Sequence, residues 1–186
     1  FGLGGSSVIS RLLGEKKDNE AKKTCAFCIW ISLVFGLCIS AILLLFRTQI
    51  LGLLGVGKDT YQYANAYYTW IAIGAVSIIF SMVPSNILRT EGLAVQSMAG
   101  SIIGSIVNII FDPIFIFGLN QGAAGAAMAT VLGNIIADIY YVYVVMKKSK
   151  RLTCSPSHMK ITGRRIRDIL MIGIPASITN IMQTFM

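Results

Sequence analysis

Two carboxyl groups in this chain stand where charge is expensive. Of the eight acidic residues, Glu15, Asp18, Glu20, Asp59, Glu91 and Asp168 lie among polar or basic neighbours, whereas Asp112 and Asp138 interrupt long apolar runs. An ionisable group at membrane depth costs at least ~2.5 kcal/mol, so its default reading is a functional group turned toward protein or water. Asp112 closes a stripe of Gly100, Gly104, Asn108 and Asp112 at four-residue spacing, beside a second stripe of Ser97, Ser101 and Ser105. Residues four apart share a helical face. A matching stripe follows downstream: Gly122, Ala126, Thr130, Asn134 and Asp138. The small residues admit a neighbouring helix at close range, and if the two stripes face each other their polar residues form a ladder, which spacing alone does not decide.

Such a meeting supports cation exchange. Burial favours the neutral acid, while amide and hydroxyl oxygens take the place of water around a bound cation. Asp112, with Asn108 and Thr130, is therefore the candidate site for a proton or Na⁺, and Asn134 and Asp138 are further polar candidates. Moving one charge through 100 mV is worth about 2.3 kcal/mol, or roughly a fiftyfold concentration ratio, enough to drive uphill export of another solute. The alternatives are structural. Asp112 adjoins Pro113, where a helix loses a backbone donor, and Asp138 lies two turns from Lys147 and the interface. Other chemistry has little support. Cys25 and Cys28 form a CxxC that opens an apolar helix without further ligands, Cys154 and His158 are loosely spaced, and His158 is the only histidine. An enzyme would need a nucleophile with a base, or a metal cluster. Neither an enzyme nor a resident cofactor is expected.

The elements that must position these residues are membrane helices. The 186 residues are 55% hydrophobic and only 13% charged, against about 25% charged in soluble domains, and the mean hydropathy is +0.71. A spanning helix needs about 20 mostly apolar residues. Four complete runs qualify, near Cys25 to Phe46, Tyr67 to Leu88, Ser97 to Leu119 and Gly122 to Met146. Partial runs end near Leu13 and begin near Ile169. Runs of this length exclude barrel strands, which are shorter and alternate in polarity. The fold class is an all-α polytopic bundle. A turn around Asn120 and Gln121 makes the third and fourth spans antiparallel neighbours.

Lys and Arg orient the chain, because basic loops remain cytoplasmic. Arg11, Lys16, Lys17, Lys22 and Lys23 flank the first loop, Arg89 the next on the same side, and Lys147, Lys148, Lys150, Arg151, Lys160, Arg164, Arg165 and Arg167 the last; only Arg47 and Lys58 fall opposite. Loops 14–24, 89–96 and 147–168 are thus expected on the cytoplasmic side of a plasma (inner) membrane. The net charge of +8 has this topological explanation, and no nucleic-acid partner is needed. Tyr61, Tyr63, Tyr67, Tyr68 and Trp70 outside, and Tyr140, Tyr141 and Tyr143 inside, read as headgroup anchors. Pro84 and Pro175 are expected to kink their helices.

Four segments in order, GGSSVISRLLGEKKDNEAKK, ILRTEG, NIIFDPIFIFGLNQGAAGAAMAT and IGIPAS, make the sequence resemble the multidrug and toxic compound extrusion (MATE) family. The resemblance implies a twelve-helix transporter of two six-helix lobes that exchanges Na⁺ or H⁺ for organic cations or drugs. It divides the chain into residues 1–146, the end of helix two through helix six of the amino-terminal lobe; 147–168, a basic cytoplasmic linker; and 169–186, the start of helix seven. The implied partners are a small organic cation or drug, membrane lipids and the remainder of the transporter. By the same resemblance Asn108, Asp112 and Thr130 match the family's amino-lobe cation site, with a further Asp expected on a helix upstream of Phe1. Gln183 stands where some relatives carry a protonatable Glu, which shifts the expectation toward Asp112. A lipid-linked oligosaccharide flippase of the same superfamily would call for basic residues in the spans, and the four complete spans have none. A non-transporting gene fragment is the remaining alternative.

Overall fold

The computed structural model describes residues 2–57, 60–149, 152 and 163–185. The described elements are helical: α1 (Gly2–Gly14), α2 (Asp18–Leu45), α3 (Arg47–Leu53), α4 (Tyr61–Thr90), α5 (Ala94–Pro113), a π-helical turn (Ile114–Gly118), α6 (Ala123–Lys147) and α7 (Gly163–Phe185). Four of them are long and apolar enough to cross a membrane: α2, α4, α5 with its π turn, and α6. These are the four expected spans, and the chain is an all-α polytopic membrane bundle.

The helices outrun the apolar runs that mark them. The connection expected over 14–24 shrinks to three residues between α1 and α2, and that over 89–96 to three between α4 and α5. Hydropathy locates the hydrocarbon boundary, but a helix continues until its backbone bonding is interrupted. At the end of α1, Lys16 takes φ 58°, with Lys17 N–H bonding Leu12 C=O and Lys16 N–H bonding Leu13 C=O. At the end of α4, Gly92 takes φ 84°, and Leu93 and Gly92 bond Leu88 and Arg89 in the same pattern. Both are Schellman endings, which satisfy the last carbonyls through one left-handed residue. Short α3 is an element that apolar length alone does not announce. Pro84 and Pro175 lie inside continuous helices. Lys58, Lys150, Arg151, Cys154, His158 and Lys160 fall outside the described residues.

The chain forms two compact units. In the first, comprising residues 1–32, 82–98 and 140–186, α1 crosses α7 where Gly4 meets the backbone of Ile169 and Gly173, and Ile9 and Ile169 are buried beside them. Gly5 admits the Cys28 sulfur, and the Cys25 and Cys28 side chains are buried. Ser97, wholly buried, is a polar hub. Its hydroxyl donates to Ser85 C=O at 3.0 Å, lies 2.9 Å from the Ser85 hydroxyl and accepts from Arg89 Nε at 3.1 Å. Tyr141 donates to the Ser97 carbonyl at 3.2 Å. Tyr141 is therefore a buried tie rather than a headgroup anchor, while Tyr143 is 56% exposed and fits the anchoring role.

In the second unit, residues 33–81 and 99–139, α6 packs on both α4 and α5. Gly36 of α2 meets the backbone of Val76 on α4, and Gly74 of α4 takes the Val131 side chain of α6. Gly104 of α5 lies against Gly133 and Ala137, and Phe115 of the π turn lies over Gly125. Along these contacts the α5 number rises as the α6 number falls, so the two helices are antiparallel. Between them Asn120 (φ 52°) and Gly122 (φ 52°) form the tight turn. A methyl group on Gly133 would stand 2.6 Å from the Gly104 carbonyl oxygen, so only glycine permits this crossing.

Candidate cation site

The close crossing brings Asn108 of α5 onto Thr130 of α6. The Asn108 amide is assigned from its hydrogen-bond surroundings. Its nitrogen donates to Asp112 Oδ2 at 3.3 Å, and its oxygen faces the Thr130 backbone N–H at 3.1 Å and hydroxyl at 3.2 Å. The Thr130 hydroxyl also lies 3.0 Å from Ala126 C=O, and Asn134 Nδ2 donates to Thr130 C=O at 2.8 Å. Asp112, Asn108, Thr130 and Asn134 thus form one connected polar ladder across the α5/α6 contact. Within it, Asp112 Oδ1 is buried without a hydrogen-bond partner.

Local sequence explains why the carboxyl sits there. Pro113 follows Asp112 directly and supplies no N–H, and α5 ends at it, passing into the five-residue π turn. There Leu119 N–H bonds Ile114 C=O at 3.0 Å, five residues back.

Asp138 does not join the ladder. It is 8% exposed, and its carboxyl faces the Ser77 hydroxyl of α4. A stripe read every four residues turns by about 40° per step at 3.6 residues per turn. From Thr130 to Asp138 it has rotated by about 80°, away from α5. The positions of α6 that face α5 are Thr130, Gly133 and Ala137, and those that face α4 are Val131 and Asp138. Gly133 and Ser77 are the residues that stripe reading passes over. Spacing by three as well as four from Thr130 finds the first; only the packing of α4 finds the second. Gln183 falls on α7, its side chain outside the described residues.

The ladder offers a carboxylate, an amide oxygen and a hydroxyl. Those are hard oxygen donors suited to a proton or a light cation. Among the described residues no three or more His, Cys, Asp or Glu side chains converge as a transition-metal site requires.

Comparison with known proteins agrees with this architecture. Residues 1–114 match the MatE family model. The multidrug export protein MepA of Staphylococcus haemolyticus is 36% identical over 95% of this chain and 39% of its own length. MepA of Staphylococcus aureus strain NCTC 8325 is 31% identical over the whole chain and 41% of its own. The chain therefore spans about two fifths of the length of these relatives. Among solved structures, the inward-facing conformation of a multidrug resistance MATE family transporter of the MOP superfamily superposes with TM-score 0.88 at 30% identity, over 95% of this chain and 40% of that one. A MATE crystal structure in complex with MaD5 gives 0.91 at 29% identity, over 99% and 42%. With four spans in the expected order and a family match covering most of its length, the chain belongs to the MatE family.

Proposed function

We propose that this chain forms the greater part of the amino-terminal lobe of a secondary antiporter that exports organic cations or drugs in exchange for Na⁺ or H⁺. The observation that carries this reading is the unpartnered, buried Asp112 Oδ1 inside the Asn108–Thr130 ladder. A proton on Asp112, or Na⁺ held with the Asn108 and Thr130 oxygens, supplies the partner that the oxygen lacks. Release of that cation leaves a carboxylate at membrane depth, which is costly and which a cationic substrate then neutralises. Cation and drug thereby compete for one charge, and competition at one site is what couples their opposite fluxes. The curated relatives are multidrug export proteins, which supports the same substrate class here.

In this reading residues 1–146 belong to the first lobe, 147–168 form the cytoplasmic linker and 169–186 begin the second lobe. The basic residues support a cytoplasmic side for the short connections 15–17 and 91–93 with their flanking helix ends, and for the linker 147–168, whose last residues open α7, in a cell whose plasma (inner) membrane the protein spans. The remaining helices of the transporter are its obligatory partners.

The test is Asp112→Asn in the full-length protein reconstituted into liposomes. Gradient-driven drug efflux is expected to disappear while membrane insertion is retained. Coupled efflux at the unsubstituted rate would sink the assignment. Running the same assay with Na⁺ or H⁺ as the sole gradient identifies the coupling ion.

A further inference from the structure

The second intramembrane carboxyl has an environment of its own. Asp138 is 8% exposed, the Ser77 hydroxyl faces it from α4, and its Oδ1 is buried with no hydrogen-bond partner. Among the described residues, α4 and α5 bring no counter-charge to this stretch of α6; Arg89, the charged residue of α4, lies twelve residues beyond Ser77 and is engaged with the Ser97 hydroxyl. α4 from Thr69 to Leu88 and α5 from Ala94 to Phe111 contain no Asp, Glu, Lys, Arg or His. α5 presents Gly104 opposite the adjacent Ala137, and the nearest titratable groups along α6 are Tyr140 and Tyr141.

A carboxylate so placed is a buried charge without a counterion, and such groups are neutralised rather than tolerated. A hard metal cation gathers about six or more oxygens. One carboxyl and one hydroxyl from two parallel helices make a smaller nest, the size of a proton. Asp138 is nine residues from the end of α6 at Lys147, about 13 Å along the helix axis, against about 22 Å to its start at Ala123. The nearer route to water leads to the Lys147 end.

We propose that Asp138, clasped by Ser77, is a second proton-binding site of the bundle, separate from the Asp112 ladder, that exchanges its proton with the side of the membrane where α6 ends. The site sits on the α4 face of α6, whereas the ladder sits on the α5 face, so the two bind independently.

Infrared difference spectroscopy of the full-length protein in liposomes, recorded against pH, tests this. The carbonyl stretch of a protonated carboxyl is expected, its amplitude falling as pH rises, and Asp138→Asn is expected to abolish that component. Asp112→Asn is expected to leave it in place, so failure of the Asp112 reading in the transport assay and failure of this one are separable. Ser77→Ala keeps the carboxyl and is expected to shift the band through loss of its hydroxyl neighbour, which serves if Asp138→Asn does not insert. A spectrum unchanged by Asp138→Asn, or, where that variant does not insert, by Ser77→Ala, overturns the proposal. So does a component that Asp138→Asn removes but that no change of pH alters.

Discussion

Gly133→Ala tests whether the α5/α6 crossing is what assembles the cation site. The added methyl would stand 2.6 Å from the Gly104 carbonyl oxygen, about 0.8 Å short of the 3.4 Å at which ordinary contact begins. The obstacle is backbone and cannot rotate aside, so the helices must separate by about that amount. Thr130 lies three residues from Gly133, about 4.5 Å along the axis, and moves with it. The Asn108–Thr130 hydroxyl contact, now 3.2 Å, then opens to about 4.0 Å, beyond hydrogen-bonding range. Over-packing of this kind costs about 1–3 kcal/mol. The variant should therefore melt at lower temperature in detergent and lose cation-coupled efflux, although no polar side chain has been touched. Gly104→Ala, whose methyl meets Gly133 O at 3.0 Å and Ala137 Cβ at 3.2 Å, should be milder on both counts. Gly52→Ala is the control, because nothing lies within 4 Å of the added methyl; on a helix it should be neutral or stabilise by about 0.4–1 kcal/mol. Gly133→Ala with the melting temperature and efflux of the unsubstituted protein would refute the claim that close backbone contact builds the ladder.

Two further outcomes concern the ends of the helices. Ser97→Ala removes the acceptor of Arg89 Nε and the partner of the Ser85 hydroxyl but spares the Tyr141 bond, which goes to the Ser97 carbonyl; a loss of about 1–3 kcal/mol is expected, read as a lower melting temperature, and an unchanged melt counts against the hub. Outside the spans, the Lys17 ammonium, hydrogen-bonded to Glu15 at 2.7 Å, holds the Glu15 carboxyl below its ordinary 4.5, with Arg11 adding less. Because the folded value is lowered, what the pair contributes is present above the unfolded value and is lost as pH falls through the folded one. Lys17→Met should raise the Glu15 midpoint toward 4.5 in an NMR titration, and a midpoint that stays where it was would exclude the pair as the cause.

Much of this protein is legible in its residues alone. Apolar runs of about 20 residues have one stable fate in a bilayer, because every backbone polar group must be bonded within its own segment. That physics locates the four spans, and the unequal distribution of Lys and Arg carries an expected orientation. Asp112 and Asp138 were visible for the same reason, since charge is scarce where lipid is expected. Their surroundings were not visible. A four-residue stripe in the sequence treats Thr130 and Asp138 as neighbours on one face, yet the rotation between them sends one toward Asn108 on α5 and the other toward Ser77 on α4. Which of two faces of a helix meets which partner depends on where glycine lets backbones touch, as at Gly104 and Gly133. Only the packed bundle decides that, because helix contacts are set by the surfaces of two segments at once and a linear pattern describes one segment at a time.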